Sequence, residues 1–342
     1  MVDERKLKIL QAIISDYIAT GEPVGSRTIA KKYDLGISSA TIRNEMADLE
    51  EMGLLEQPYT SAGRVPSSKG YRLYVDRIME YERLSRDEEL KIKKQLVEKH
   101  KVEIDALIHE VSSLLSELTN LTCLVNTPSI DKSCINSVQL MKVADDTILC
   151  VIVLDGGIIK NKLIKVKDDI PNMNILSKIS IVLTEMLKNL SVDQINLEVI
   201  TKIKIYLEGY SYVFDAILPA LYEILRNNGN NDIIVEGATN IFNYPEYNDI
   251  NKAKEMLELL HNKKNVTNLI MDSSNGISIK IGDENFIPEA KDCSVISAKY
   301  SIGGRDLGTI ALIGPRRINY SKVLSIMEKV MKEFNEALNE DD

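Results

Sequence analysis

The sequence has only three histidines and no tryptophan. Its three histidines are isolated, and its 342 residues include no GxSxG, HExxH or P-loop spacing. Motifs of those kinds place a nucleophile, a metal or a phosphate next to its partners. The sequence therefore gives no sign of an active site, and we expect a protein that is not an enzyme.

Closely spaced cysteines are also missing. None of the four forms a CxxC pair; they are Cys123, Cys134, Cys150 and Cys293. This dispersed pattern argues against a zinc site or a disulfide framework and favours buried thiols in a reducing compartment. We expect neither a metal nor another cofactor.

Long apolar runs are absent as well. No stretch approaches the ~20 apolar residues that a helix needs to cross a bilayer. The first residues, MVDERKLKI, are charged and unlike a signal peptide. These features predict a cytoplasmic protein that does not enter a membrane.

The most informative stretch present is SSATIRNEMADLEEMG, residues 38–53. Ser38 or Ser39 can cap the start of a helix, and Gly53 can end it in a left-handed conformation. Apolar residues recur at helical spacing and predict a buried stripe: Ile42, Met46 and Leu49. The opposite side carries Ala40, Arg43, Asn44 and Ala47. Since Arg and Asn pair with base edges in a major groove, this side predicts a DNA-recognition helix.

The flanking residues predict the rest of a winged helix. An amphipathic helix ends near Gly21, and Ser26 is expected to cap a short second helix before a turn at Gly36. Short strands at 54–57 and 64–65, joined by a loop, predict the wing. An ordinary three-helix domain with a solvated polar face is the alternative.

The charge distribution supports the DNA interpretation although the net charge is −9. Residues 26–43 and residues 57–77 each contain four basic side chains and one acidic side chain. Local positive patches bind phosphates while an acidic remainder limits loose association. Each patch has a net charge of only +3, which predicts that one winged-helix domain (residues 1–80, called the head below) binds DNA weakly. We therefore expect a dimer.

Three stretches resemble the HrcA family of bacterial heat-inducible repressors. They are residues 21–76, especially TSAGRVPSSKGYRLYVD at 60–76, then VEGATNIFNYPEY at 235–247 and GTIALIGPRRINYSKV at 308–323. Ser67 stands where the family often has Thr, and either hydroxyl can cap the next helix. The resemblance implies a repressor that binds the inverted-repeat CIRCE operator upstream of chaperone operons as a homodimer. It also implies that the GroEL chaperonin keeps the repressor competent.

We expect the DNA-binding residues to lie in the second helix, the recognition helix, the wing and the helix after it. They are Arg27, Thr28, Ser38, Ser39, Ala40, Thr41, Arg43, Asn44, Tyr59, Ser61, Arg64, Lys69 and Arg72. Two other functions stay open at this point. One is a metabolite-responsive regulator with a small effector in the C-terminal part, and the other is an enzyme with a DNA-binding head.

The pattern beyond the wing predicts an α+β multidomain protein. Residues 81–103 form a charged helical connector, and a helix from 104 either packs on its own domain, which we favour, or forms a coiled coil. Strands are predicted at 138–143, 147–154, 158–166, 268–271, 277–281, 295–300 and 308–313, with a hairpin turn at 155–157. The resemblance implies a GAF-like domain interrupted by a dimerising insert.

The predicted bounds follow from that organisation. They are 1–80 for the winged helix, 104–167 with 237–342 for the GAF-like domain, and 168–236 for a largely helical inserted module. The module has paired apolar stripes and no candidate catalytic or ligand-binding residues, so we expect it to form the self-association surface. One stripe contains Ile217, Leu221 and Leu225. The alternative is that these stripes pack only within one subunit.

Overall fold

A computed structural model describes residues 2–60, 62–97, 104–126, 134–154, 159–166, 169–191, 194–207, 209–226, 233–270, 276–302 and 305–339. The chain divides into two compact units. Unit 1 comprises Met1–Asn126 with Ile233–Asp342, and unit 2 comprises Thr127–Asp232.

Unit 1 begins with the predicted winged helix. Its elements are α1 (Glu4–Thr20), α2 (Ser26–Lys32), α3 (Ser39–Glu51), β1 (Leu55–Glu56) and β2 (Val65–Pro66). The two short strands pair antiparallel, and Val24 forms a further bridge with Arg64. The N-terminal part of the fold prediction is therefore confirmed.

Local sequence signals explain both ends of α3. The Ser38 hydroxyl accepts a hydrogen bond from the Thr41 N–H at 3.1 Å, which satisfies a donor that the first helical turn leaves free. Gly53 follows the helix at φ +72°, a conformation that only glycine adopts cheaply. The expected cap at Ser26 is wrong, because α2 begins at that residue and Gly25 precedes it with no side-chain cap.

The helices after the wing pack closely against the C-terminal part of unit 1. They are α4 (Ser68–Arg77), α5 (Arg86–Val97) and α6 (Ile104–Thr119). The predicted connector is helical over the residues of α5, and its Ile92 and Leu96 are buried in the core of unit 1. The favoured packing of α6 on its own domain is confirmed, since it packs against the C-terminal helix α12 (Tyr320–Asn339).

A five-stranded antiparallel sheet forms the centre of unit 1, in the order β7-β3-β10-β9-β8. The strands are β3 (Thr122–Asn126), β7 (Ile233–Glu236), β8 (Ile277–Ile281), β9 (Cys293–Ile302) and β10 (Arg305–Pro315). One side of the sheet shares a core with α5, α6 and α12. The other side is covered by α10 (Ile250–His261) and α11 (Lys263–Ile270).

The predicted strand at 268–271 is wrong over its described residues, because they lie in α11. Val266, Leu269 and Ile270 are buried at helical spacing in the core beneath the sheet. A short apolar run suits a strand or a buried helix equally well, and here the helical interpretation is the one realised.

Unit 2 combines a three-stranded antiparallel sheet with three helices. They are β4 (Ile135–Ala144), β5 (Thr147–Leu154), β6 (Ile159–Lys165), α7 (Met173–Leu187), α8 (Leu197–Tyr206) and α9 (Ser211–Arg226). The predicted turn at 155–157 lies outside the described residues. The predicted module, 168–236, differs from unit 2 at both ends: β4 to β6 share a core with these helices, and residues 233–236 form β7 of unit 1.

Hydroxyl groups on α7 bond directly to the edge of the unit 2 sheet. Thr184 accepts a hydrogen bond from the Val138 N–H at 3.0 Å, and Ser180 accepts one from the Leu140 N–H at 3.0 Å. Unpaired strand edges invite pairing with other chains, and these contacts occupy part of the β4 edge. The predicted α+β class is confirmed by both units.

Candidate nucleic-acid interface

The polar side of α3 is the most exposed part of the predicted interface. Ala40, Arg43, Asn44 and Ala47 are exposed, whereas Ile42 on the opposite side is fully buried. Within the described ranges, neither Arg43 nor Asn44 makes a hydrogen bond or an ion pair. Both side chains are therefore available for an external hydrogen-bonding partner.

The N-terminal end of α3 and the first turn of α2 carry the other predicted contacts of the helix-turn-helix. Arg27 and Thr28 are exposed on α2. Ser38 is exposed, but its hydroxyl already serves the helix cap and lies 3.0 Å from the Thr41 hydroxyl. Ser39 is half-buried in the first turn of α3. Ser61, predicted in the wing, lies outside the described residues.

Ion pairs hold α3 against α1. The Lys6 ammonium lies 2.7 Å from a Glu45 carboxylate oxygen and 3.0 Å from an Asp48 oxygen. The hydrogen bonds that the Lys6 ammonium donates to Glu45 and then to Asp48 raise the pKa of Lys6. Acidic residues of the recognition helix that would repel a phosphate backbone are thus partly neutralised and help to position the helix.

One of the basic residues of the patch at 26–43 forms an ion pair with a buried carboxylate. Asp16 is 4% exposed, and its Oδ1 accepts a hydrogen bond from the Lys32 ammonium at 2.5 Å. The charge of Lys32 is therefore balanced inside the protein, which leaves Arg27, Lys31 and Arg43 as the basic side chains of that patch.

The wing is tied to the recognition helix by Arg64. Its guanidinium donates two hydrogen bonds to Oε2 of Glu50, at 2.8 Å from Nε and 2.7 Å from Nη2. Tyr59 at the tip of the wing is 66% exposed. Arg64 stays a predicted DNA contact, but in this structure its guanidinium fixes the angle between wing and helix.

The predicted contacts on α4 turn toward other parts of unit 1. Lys69 donates a hydrogen bond to the Met52 carbonyl at 2.9 Å. Arg72 pairs with both oxygens of Glu284 and donates to the Ile279 carbonyl at 2.6 Å. Both stay predictions as phosphate contacts. The sequence could not show the Arg72–Glu284 pair, because its members are 212 positions apart.

A second arginine joins the head to the C-terminal part. Arg317 pairs with Glu246 at 2.7 Å and donates to the Ile18 carbonyl of α1 at 2.9 Å. The Arg72–Glu284 pair and the hydrogen bond from Arg317 to Ile18 therefore both connect the winged helix to the C-terminal part of unit 1.

The predicted self-association stripe is not on the surface. Ile217 and Leu221 are 0% and 1% exposed in the core of unit 2. The side chain of Leu225 lies outside the described residues. Ile217 and Leu221 therefore support unit 2 from within, as in the alternative interpretation, and a contact with another subunit must use other side chains.

Glu284→Gln tests the ion pair that docks the head. The pKa of the Glu284 carboxyl lies below its ordinary 4.5: burial raises it, but hydrogen bonds from Arg72 and the Ile281 N–H lower it by more. The substitution leaves Arg72 with Asp76, 3.2 Å from its Nη1, as its remaining carboxylate partner, and should lower the free energy of unfolding by on the order of 1 kcal/mol. Chemical denaturation at pH 7 measures this loss.

The same experiment has a defined pH dependence. A carboxyl with a lowered pKa stabilises the fold above pH 4.5, and that contribution is lost as the pH falls through the lowered value. The difference between the parent and Glu284→Gln should therefore shrink in acid. Asp283→Asn, at an exposed neighbouring carboxylate, is the control. Equal stability of the parent and Glu284→Gln at pH 7 would contradict the proposed role of the pair.

Neither a membrane segment nor a metal site is found in the described residues. None of their helices is both long and apolar enough to cross a bilayer. They also contain no group of three or more His, Cys, Asp or Glu side chains placed to hold a metal ion. Cys123, Cys150 and Cys293 are free thiols and are buried, and Cys134 is partly buried.

Two family descriptions match most of the chain. "Winged helix-turn-helix transcription repressor, HrcA DNA-binding" matches residues 2–78, and "HrcA protein C terminal domain" matches residues 105–324. The first match coincides with the head that carries α3, and the second spans both units.

Individual relatives agree with these matches. The chain is 62% identical to "Heat-inducible transcription repressor HrcA" of Clostridium perfringens (strain SM101 / Type A), covering 99% of each chain. It is 52% identical to the protein of the same name in Clostridium acetobutylicum, covering 99% of this chain and 98% of the relative. A solved structure described only as a hypothetical protein has a TM-score of 0.66 at 24% identity over 100% of both chains, which shows the same fold.

Proposed function

The chain belongs to the HrcA family of heat-inducible transcription repressors, and on that premise we propose that it represses chaperone operons by binding the CIRCE inverted repeat as a homodimer. The observation that carries this proposal is the side of α3 that bears Arg43 and Asn44. Both side chains are exposed and have no partner in the described residues. The helix itself is positioned by the ion pair between Lys6 of α1 and Glu45 of α3.

The geometry of α3 suits a major groove. The small side chains of Ala40 and Ala47 flank Arg43 and Asn44 and allow the helix backbone to approach base edges closely. Arginine pairs bidentately with guanine and asparagine with adenine. The cap at Ser38 and the wing, tied through Arg64, keep the helix end in one orientation.

Titration of the intact protein with duplex DNA tests the proposal. The DNA should carry the inverted repeat found upstream of chaperone operons, and a shuffled duplex of the same length and composition is the control. We expect specific binding at least ~10³-fold tighter than binding to the shuffled duplex at physiological salt. Equal affinity for the two duplexes would reject the proposed operator.

Self-association requires a surface that the structure leaves open. On the side of the unit 2 sheet away from α7, one cross-strand row is formed by Met141, Leu149 and Leu163. Met141 and Leu163 are 43% and 60% exposed, and Ile159 on the same side is 57% exposed. An inverted repeat needs two heads, and a second copy of this chain would bury these side chains in an isologous contact.

Leu163→Lys tests this surface. A charge at an exposed position of the row should cost unit 2 little stability but should disfavour its burial against another subunit. We expect a folded monomer by light scattering, with weaker operator binding. Leu197→Lys, at a 77% exposed position on α8, is the matched control and should keep the mass of the parent. A dimeric Leu163→Lys protein would exclude this face as the contact.

We further propose that heat relieves repression through loss of active cytoplasmic protein and that GroEL restores it. Support comes from the free thiols of Cys123, Cys150 and Cys293, which form no disulfide, and from the family name. The test is operator binding after mild warming and cooling, with and without GroEL and ATP. Full recovery without chaperonin would contradict this proposal.

A further inference from the structure

The ion pair between Lys32 and Asp16 contains an unusually buried carboxylate. The side chain of Asp16 is 6% exposed, whereas that of Glu50, which pairs with Arg64 in the wing, is 33% exposed. Within the described residues, Lys32 is the only cation that pairs with the Asp16 side chain. The pair joins α1 to α2, the first two helices of the winged helix.

This burial makes it unfavourable for the Lys32 ammonium to move to another anion. If the ammonium left, the carboxylate of Asp16 would keep a buried charge without a counter-ion. A contact with a phosphate at the protein surface offers much less in return, because water and salt screen it. The hydrogen bond to Asp16 also raises the pKa of Lys32, so the ammonium stays charged at neutral pH. We therefore expect the pair to persist when DNA is bound.

Without the Asp16 charge, the same ammonium would be well placed to contact a DNA backbone. Lys32 follows Thr28, a predicted DNA contact, by four residues on α2, so both side chains leave the helix on the same side. The Lys32 side chain is 51% exposed despite the pair. The Tyr33 ring, with its centroid 5.9 Å from the ammonium, carries no charge, and in the described part of the chain the exposed Asp34 forms no ion pair with Lys32.

We propose that Asp16 limits the affinity of the protein for DNA of any sequence by holding Lys32 away from the phosphate backbone. Non-specific binding consists almost entirely of contacts between basic side chains and phosphates, so one free cation fewer in each head lowers it directly. Asp16 acts through Lys32 and not on the DNA itself, and it is therefore a positioning residue. The inference rests on the proposed DNA interface of the winged helix, but not on the identity of the operator.

Asp16→Asn tests the proposal, because it removes the charge and keeps the shape of the side chain. The full-length protein is titrated with the shuffled duplex at salt concentrations from ~50 to ~200 mM. We expect the salt slope of the variant to be steeper by about 0.9 for each head that contacts the DNA. The ratio of its affinity to that of the parent should then rise by ~3.5-fold per head between the highest and the lowest salt concentration. Damage to the helix-turn-helix would have the opposite effect, since it would weaken binding.

Two further variants assign the effect to Lys32. The double variant Asp16→Asn with Lys32→Gln should return to the salt slope of the parent, because the released cation is absent. Glu22→Gln removes the same charge at an exposed position of the head that forms no ion pair within the described residues, and it should leave the slope unchanged. Far-UV circular dichroism and the melting temperature check that each variant is folded.

A second measurement uses the parent protein alone. Its lysines are acetylated with and without the shuffled duplex, and the modified peptides are quantified by mass spectrometry. DNA should protect Lys31 and change the reactivity of Lys32 little, because the pair with Asp16 persists in the complex. Protection of Lys32 as strong as that of Lys31, or a parental salt slope in folded Asp16→Asn, would overturn the proposal. A parent that binds neither the shuffled duplex nor the operator would contradict the proposed function, and this inference with it.

Discussion

Intact protein should bind a duplex that carries one arm of the operator about 10²–10⁴-fold more weakly than a duplex that carries both arms. Linking two heads makes the second contact intramolecular, and avidity of that size follows when both heads engage together. One head alone makes few phosphate contacts, and non-specific binding of that kind is only ~10⁻⁴–10⁻⁶ M at physiological salt.

The structure strengthens this expectation, because several basic side chains of the predicted DNA interface form ion pairs within the protein. Three of the basic side chains that the sequence assigned to the two patches are paired inside the protein: Lys32 with Asp16, Arg64 with Glu50, and Arg72 with Glu284. A single head therefore has less free positive charge than its composition indicates, and cooperation between two heads matters more.

The measurement is a competition titration with three duplexes of equal length. The third duplex keeps both arms but changes their separation by half a helical turn, about 5 base pairs, which places the second arm on the opposite side of the DNA. It should bind almost as weakly as the single arm. Equal affinity for all three duplexes would show that the protein binds as independent heads.

Arg43→Ala and Asn44→Ala should each weaken specific operator binding by about 1–3 kcal/mol, which corresponds to a loss of roughly 5- to 150-fold. Each substitution would remove the proposed contact to a base edge and no interaction within the described structure, since neither side chain has a partner there. The free energy of unfolding should therefore change by no more than ~0.5 kcal/mol.

Lys31→Ala is the matched control for these two variants. Lys31 is exposed on α2 beside the recognition helix and is suited to a phosphate contact. Its removal should weaken binding to the operator and to the shuffled duplex alike and reduce the salt slope by about one. Wild-type operator affinity in both Arg43→Ala and Asn44→Ala would show that α3 does not read the sequence.

The sequence was sufficient to predict α3, its caps and its two sides, because those features depend on residues that are close together in the chain. Ser38, Ile42 and Gly53 each act within one or two helical turns, so spacing alone reveals them. The wing and the hairpin of β4 and β5 are local in the same sense.

Features that depend on distant partners could not be predicted in this way. The charge of α5 predicted a helical connector but not its burial, because the apolar surface that covers Ile92 includes the C-terminal helix, more than 200 positions later. Arg72 has the side chain of a phosphate contact, and only the approach of Glu284 shows a different use. Likewise, Ile217 forms a stripe that suits either a core or a subunit contact, and its burial in unit 2 decides for the core.

The packing of α4 has a consequence for the response to heat. Tyr71 lies against Tyr320 with ring centroids 5.7 Å apart, and one continuous core joins the winged helix, α12 and one side of the sheet. Because the winged helix shares its core with α12 and the sheet of unit 1, it should have no separate melting transition. These parts should unfold together in one cooperative step. Cooperative unfolding of a large unit takes place over a narrow temperature interval because its enthalpy is large. A repressor built in this way would change from silencing to full expression within a few degrees, without a dedicated temperature-sensing element.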